Sequence, residues 1–525
     1  MLRTITPQEM KKLEQRVMAD TGITGMELME RAAAAVAQAV EGQLTEKPGR
    51  VWCLCGTGNN GGDGLAAVRL LCAAHPGQAA TVWLMAGPLS PDAKAQKERL
   101  EREAPWVWLM ALPEEEGAEA PLPTPPVDTA CIIDAVFGTG LSREVTGRAA
   151  QLCQRMGEAH RRGIPVIAVD IPSGLNGETG QIMGAAVRAT QTVTFHRPKP
   201  GLYLGQGPEL AGRVVVAGIG IPEDRDQVNG FWVLEEEDVP ALLGPRPKVS
   251  HKGSFGRALV VAGSEGMAGA AAICALAALR TGAGLVTVAC PREIVPVVQT
   301  LCPCATCLPL PGDPASARKL LAGALEKADV VAVGPGLGTG DYAGELVEGV
   351  LALLRKTDKP AVLDADGLTI LARLAERRET PGALLGLNQV LTPHPGEAAR
   401  LLGLSTAQVM ADAPGAAAAL QARFGASVIL KGASSVLLSG EDRGLNILGT
   451  PAMAKGGSGD ALTGVLAALL AMRAQGTFTG SLFTLLQAGT ALHGLAGRAA
   501  AKTWGERGML ATDLCGELGR VGSGS

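Results

Sequence analysis

Near the end of the chain, Ala454-Lys-Gly-Gly-Ser-Gly-Asp460 runs straight into an apolar stretch that begins at Ala461. Glycines ahead of an acidic residue at a helix start place the amides of Gly457–Asp460 at a helix N-terminus, where they form a hole for an anion. Asp460 at the same corner can accept a proton from a hydroxyl as that hydroxyl attacks phosphorus. The pattern therefore suits phosphoryl transfer, with an ordinary Asp cap above a glycine turn as the alternative. No GxxxxGK[ST] sequence occurs, which excludes a P-loop.

A second glycine cluster, Cys55-Gly-Thr-Gly-Asn-Asn-Gly-Gly-Asp-Gly-Leu65, follows the apolar run VWCLC and holds G-x-G-x-x-G at Gly56, Gly58 and Gly61. A dinucleotide fold of the dehydrogenase kind also needs an acidic residue at the end of the next strand. That strand, ATVWLMAG, ends without one, and Asp92 comes only later in a Pro-flanked loop. The dehydrogenase reading fails there. What remains is a loop whose Gly61, Gly62 and Gly64 let backbone approach a ligand, with a helix expected to start near Gly64 and favour phosphate. Asn59 and Asn60 add oxygens for a cation or hydroxyls. Two other strand ends carry polar groups, at Asp134 before AVFGTGLSRE and at Asp170-Ile-Pro-Ser173. Parallel sheets bind ligands at their carboxyl ends, so Asn60, Asp134 and Asp170 are expected to meet in one crevice, although each Asp also suits a turn cap.

These residues need elements to position them, and the composition supplies the material. Apolar residues make up 47% of the 525 positions and aromatics only 3%, which favours Ala- and Gly-rich helices packed on buried sheets over an aromatic stacking platform. The length suits two to four domains at roughly 150 residues each. The net charge of -4 and the lack of a basic run exclude a nucleic-acid or anionic-membrane surface. The first residues lack the apolar segment of a secretory signal, and the run ALTGVLAALLAM stops at Arg473, too short to span a bilayer. A cytoplasmic address follows. Eleven cysteines suit a reducing compartment. Cys302-Pro-Cys-Ala-Thr-Cys307 invites a zinc or redox reading, but no second CxxC and no nearby His support it, which leaves inert thiols.

Strand-like runs alternate with helical patterns throughout, the mark of α/β folds. RVWCLCG, ATVWLMAG, TACIIDAV, PVIAVDIP, ATQTVTF and RVVVAGIG form a first series, preceded by two helices in EMKKLEQRVMAD and MELMERAAAAVAQAVEG. Between Pro222 and Ser250 the chain turns acidic and then Pro-rich, which places a boundary there. A second series follows in RALVVAGS, LVTVACP, DVVAVGPG, PAVLDADG, QVLTPHPG and SVILKGASSVLLS. The expected architecture is two unlike three-layer αβα domains, over residues 1–222 and 235–525.

CGTGNNGGDGLAAVRLL, the Asp134 loop and VDIPSGLNGETG together resemble the NAD(P)H-hydrate epimerases over about Ile5–Pro222. The resemblance implies a Rossmann-like fold. It implies that Asn59, Asn60, Gly61, Gly62 and Asp63, with Gly138, Thr139, Gly140, Leu141, Ser142, Arg143 and Glu144, line the site for the hydrated dinucleotide. It further implies that Asn60, Asp134 and Ser173 hold K⁺, an all-oxygen set that suits a hard cation. Asp170 would contact substrate and serve as acid/base at nicotinamide C6.

In the second half, HKGSFGRALVVAGSEGMAGAA, ALRTGAGLVTVA, GPGLG, DADGL, TPHPGEAARLLG, KGASSV and GGSGD resemble the ADP-dependent NAD(P)H-hydrate dehydratases of the ribokinase-like superfamily, over about Val249–Leu514. Two departures are Ser254, where an acidic residue is common, and Ser458, where Thr is usual. The resemblance implies that Lys431, Gly432, Ala433, Ser434, Ser435 and Gly459 hold the adenine nucleotide, that Ala271, Gly336 and His394 contact the hydrate, and that Asp460 is the base. From the residues alone, Lys431 at a strand end could pair with phosphate or simply be solvated, and His394 between two prolines could be structural. Asp364 and Asp366 could hold Mg²⁺ through water. The expected substrates are NADHX, NADPHX and ADP, with K⁺ and Mg²⁺ as cofactors, no nucleic-acid or membrane partner, and a homo-oligomeric assembly. A ribokinase-type sugar or vitamin kinase, or a non-catalytic nucleotide binder, would share GGSGD.

Overall fold

The computed structural model describes residues 1–112, 122–222, 226, 228–376 and 384–522. The chain forms two compact units, Leu2–Phe231 and Trp232–Ser525 with Met1.

After a two-residue strand β1 (Leu2–Arg3), the first unit opens with two helices, Pro7–Thr21 and Gly25–Glu46. Each starts at a capping box, Thr6 with Glu9 and Thr24 with Glu27, in which the Thr hydroxyl and the Glu carboxylate satisfy free amides reciprocally. The strands β2 (Arg50–Cys55), β3 (Ala80–Leu84), β4 (Trp108–Ala111), β5 (Thr129–Ala135), β6 (Val166–Val169), β7 (Gln191–Phe195) and β8 (Arg213–Ala217) make one parallel sheet in the order β4-β3-β2-β5-β6-β7-β8. The order reverses between β2 and β5, which opens a crevice beyond their carboxyl ends. Alternation along each strand feeds two cores. Val51, Cys53, Cys55, Cys131 and Ile133 pack under the helices Pro7–Thr21, Gly25–Glu46 and Asn59–Ala74, while Trp52, Leu54 and Ile132 face the helix Gly147–Arg161. Strand β4 escaped the sequence reading because its four residues WLMA sit at a half-exposed sheet edge.

The second unit contains β9 (Trp232–Val233), β10 (Arg257–Val261), β11 (Leu285–Pro291), β12 (Thr306–Leu310), β13 (Val330–Val333), β14 (Ala361–Leu363), β15 (Gln389–Leu391), β16 (Ser427–Leu430), β17 (Ser435–Ser439) and β18 (Asp442–Asn446). From β12 through β11, β10, β13, β14 and β15 to β16 the strands are parallel, again reversing beside the first of the series, between β10 and β13. SVILKGASSVLLS resolves into two antiparallel strands, because the turn at Gly432–Ser434 breaks it. Ala258, Val260, Val330 and Ala332 pack against the helices Ala268–Thr281, Ser458–Ala474 and Leu482–Gly508. Leu259, Val261, Val331 and Val333 are buried too, so both faces are covered. Both units are three-layer αβα domains.

Candidate functional sites

In the first unit a cavity of about 850 Å³ lies at the carboxyl ends of β2 and β5–β7. Its wall includes Asn59, Asn60 and Asp63, the stretch Phe137–Arg143, and Asp170. The helix Pro7–Thr21 closes one side with Lys11 and Glu14. The helix after β2 starts at Asn59 with Gly58 as its cap, five residues before the expected Gly64, so both asparagines lie in its first turn. Gly61 and Gly62 do not line the cavity. A Cβ on Gly61 would lie 2.0 Å from the Gly56 carbonyl, and one on Gly62 would lie 2.7 Å from Met29. These glycines serve close packing of the turn itself. Glu144 is exposed outside the cavity wall.

Asp134 and Ser173 lie beneath the cavity, both fully buried. Ser173 Oγ donates to Asp134 Oδ1 at 2.5 Å and its amide donates to Oδ2 at 2.8 Å. Burial pushes the Asp134 carboxyl up to about 6 despite those bonds. Asn60 is packed against the Gly138 backbone, and its Nδ2 is buried without a partner among the described residues. Oxygen and nitrogen of an amide are assigned from hydrogen bonding, so the orphaned end of Asn60 can present an oxygen to a hard cation, and Asp134 and Ser173 supply further oxygens from neighbouring strand ends. The donor set fits K⁺.

Asp170 follows β6 in the left-handed region, at φ 64°, which turns its carboxylate towards the end of β7. Its Oδ1 accepts from Lys199 Nζ at 2.5 Å, from Thr194 Oγ1 at 3.0 Å and from the Phe195 amide at 3.3 Å. Lys199 has no solvent exposure at all. Sequence reasoning missed it, although a lysine in HRPKPG just past the strand ATQTVTF was a strand-end signal of the kind used for Asp170.

In the second unit the site again lies at carboxyl strand ends, after β10 and β13–β16. The helix Ser458–Ala474 begins at Gly457, with Asp460 in its first turn. Lys431 does not stand free for phosphate: its Nζ donates to Asp364 Oδ1 at 2.7 Å, and Thr463 Oγ1 donates to Asp364 Oδ2 at 2.9 Å. Burial alone would raise the Asp364 carboxyl, but the charge and hydrogen bonds of Lys431 and Thr463 outweigh it and hold it below its ordinary range. A Cβ on Gly459 would sit 3.3 Å from Lys431 Nζ and 3.4 Å from Asp364 Oδ2, so glycine lets the helix start reach this ion pair. Asp460 has its carboxyl pushed up to about 6 by burial and by the charge of Asp364, against the pull of Lys431.

His394 caps the helix Pro395–Leu402, its Nδ1 accepting from the Gly396 amide at 3.0 Å, and its ring is more than half exposed. It reaches the cluster through Glu397, 4.0 Å from Lys431 Nζ. Gly432 and Ala433 are exposed on the turn between β16 and β17, with Ser434 and Ser435 half-buried. The GPGLG loop is tied down by Ser264 Oγ donating to the Gly336 carbonyl and by the Gly338 amide donating to Asp366 Oδ2. Ala271 is wholly buried in the core, so its side chain is no part of an open site. His493 was not foreseen. Its Nε2 lies 2.8 Å from the Ser458 carbonyl, which only accepts, so that nitrogen carries the proton and braces the glycine turn from behind. Both Asp364 oxygens are engaged, by Lys431 and by Thr463. Cys302, Cys304 and Cys307 are free thiols, and no group of three or more His, Cys, Asp or Glu side chains that could hold a metal ion occurs among the described residues. No described helix is long and apolar enough to cross a membrane.

Two sites at the switch points of two mainly parallel sheets define an α/β protein with two separate centres for small-molecule chemistry. A family model described as YjeF-related protein N-terminus matches residues 25–201, and one described as NAD(P)H-hydrate dehydratase matches residues 258–520. A bifunctional NAD(P)H-hydrate repair enzyme of Coxiella burnetii is 38% identical over 97% of this chain and 96% of its own length. Its counterpart in Escherichia coli is 37% identical over 97% and 92%. The solved ADP/ATP-dependent NAD(P)H-hydrate dehydratase of Bacillus subtilis is 31% identical, covering 55% of this chain and 96% of that one at a TM-score of 0.47. This chain belongs to the family of bifunctional NAD(P)H-hydrate repair enzymes.

Proposed function

We propose that the chain repairs hydrated NADH and NADPH, with residues 1–222 interconverting the C6 epimers of NADHX and NADPHX and residues 235–525 dehydrating the S epimer with ADP. The observation that carries the proposal is the near full-length correspondence with bifunctional repair enzymes. It is supported by one polar strand-end site in each unit.

Hydroxide is a poor leaving group, so dehydration at neutral pH is easier once the C6 oxygen has been phosphorylated. In the second unit Asp460 takes the proton of the C6 hydroxyl, and the oxygen attacks the β-phosphorus of ADP. The amides that open the helix Ser458–Ala474 balance the charge gathering on the phosphoryl oxygens. AMP leaves. The ring-nitrogen lone pair then expels phosphate from C6 to leave an iminium, and loss of a proton from C5 to the departing phosphate forms the C5–C6 double bond and restores the reduced nicotinamide. Lys431 and Asp364 hold the strand end and the helix start in register for this. Mg²⁺ would be carried on the nucleotide phosphates, where it would offset their charge.

In the first unit Asp170 is the acid/base at C6, held by Lys199. Asn60, Asp134 and Ser173 would hold K⁺, whose charge would offset the buried Asp134 carboxylate. An epimerase joined to a dehydratase that takes one epimer lets a single cytoplasmic chain recover both. Asp460→Asn tests the assignment: recovery of NADH from NADHX and ADP should stop while the epimers still interconvert. Loss of both activities in a folded variant would contradict the division of labour.

A further inference from the structure

The first unit's cavity holds more ionisable groups than one acid/base residue needs. Asp63, one turn into the helix Asn59–Ala74, lines the same cavity as Asp170. Three donors reach the Asp170 carboxylate, one of them the ammonium of Lys199. No donor among the described residues reaches the carboxyl of Asp63. Burial pushes that carboxyl well above the usual range, the charges of Asp170 and Glu14 add to this, and Lys199 opposes it. The charged groups around the cavity are Lys11 and Glu14 from the helix Pro7–Thr21, Asp92 from the helix Pro91–Glu103, Arg143, Asp170 and Lys199. The cavity thus offers two carboxyl groups in unlike settings, one supported as the base and one kept as the acid.

The chemistry asks for such a pair. C6 of the hydrate carries a hydroxyl and the ring nitrogen, so its configuration can be reversed by losing water on one face and regaining it on the other. The first event gives a proton to oxygen and the second takes one away. We infer that Asp63 is a second catalytic residue of the epimerisation: its carboxylic acid protonates the C6 hydroxyl, and the carboxylate of Asp170 takes a proton from the water that adds to the opposite face. The C6–O bond breaks as the ring-nitrogen lone pair forms an iminium, and a new C6–O bond forms as that pair returns to nitrogen. One water leaves and one enters, and one proton has moved from Asp63 to Asp170. The reverse epimerisation starts from the form with the proton on Asp170. This inference rests on the epimerase reading of the first unit.

The test uses the full chain without nucleotide, so that the second unit is idle, and follows (R)-NADHX by chromatographic separation of epimers in ¹⁸O-water between pH 5 and 9. The uncatalysed rate is subtracted. The wild-type protein should place solvent oxygen at C6 of the S epimer it forms, and its rate should fall towards high pH as the carboxylic acid of Asp63 ionises. Asp63→Asn should lower kcat by roughly 10²–10⁴-fold in both directions with little change in KM, and Asp63→Glu should regain part of the loss. A wild-type rate and profile in Asp63→Asn, or an S epimer that keeps its original oxygen, would overturn the inference alone. A wild-type chain that adds nothing to the uncatalysed rate would overturn the epimerase reading and the inference with it.

Discussion

Lys431 Nζ lies 2.7 Å from Asp364 Oδ1, and this one ion pair fastens the end of β16 to the strand end after β14 and, through Thr463, to the helix that carries Asp460. Asp364 is 1% exposed, so removing its partner leaves a buried carboxylate with only hydroxyl support. Lys431→Met is predicted to destabilise the second unit by about 3–5 kcal/mol, as read by chemical denaturation. If Lys431 served only to hold nucleotide, the variant would lose nucleotide affinity and keep its stability.

Asp460 must be a carboxylate to accept the C6 hydroxyl proton. With its pKa pushed up to about 6, dehydration should be full above that pH and fall tenfold per unit below it. Asp460→Asn should abolish that limb and lower kcat by roughly 10²–10⁴-fold, while calorimetry still finds the nucleotide bound. A variant that keeps its rate would point to a different base.

Gly61 packs so closely on the Gly56 carbonyl that a methyl group would stand 2.0 Å from it. Gly61→Ala is therefore predicted to cost the first unit about 1–3 kcal/mol and most of its epimerase activity. Dehydration of pure (S)-NADHX should stay within about twofold, since no residue of the second unit's site is touched. Gly42→Ala, on an open helix face with nothing within 4 Å of the added carbon, should change neither.

The buried set Asn60, Asp134 and Ser173 makes a prediction about ions. Epimerase activity should rise when K⁺ replaces choline at constant ionic strength, and Ser173→Ala should raise the K⁺ needed for half-activation by roughly tenfold, about 1.4 kcal/mol of binding. Activity indifferent to K⁺ in the wild-type chain would remove the cation from the site.

Much of this was legible in the sequence because parallel strands buried on both faces write themselves as unbroken apolar runs, as RVWCLC and TACIIDA do. Their carboxyl ends then point to Asp134, Asp170, His394 and Lys431. Less legible was anything set by contacts between distant strand ends. The partners of Asp170 and Asp364 lie 29 and 67 residues away, so spacing could mark both lysines as strand-end cations but not as neighbours of those carboxylates. The start of the helix at Asn59 was hidden by its glycines, which read as a loop until the packing of Gly61 on Gly56 and Gly62 on Met29 shows that only glycine fits there. Glu14 was invisible for another reason: in an amphipathic helix a carboxylate reads as solvated, and only the fold turns it into a cavity.

The most direct test is recovery of absorbance at the reduced-nicotinamide band from mixed-epimer NADHX with the purified full chain, ADP, Mg²⁺ and K⁺. Complete recovery is expected, with AMP and phosphate formed in step with NADH, and a second phase slowed in Asp170→Asn. Recovery that stops at the fraction of one epimer would deny the first unit its epimerase role. No recovery with either ADP or ATP would contradict the repair function as a whole.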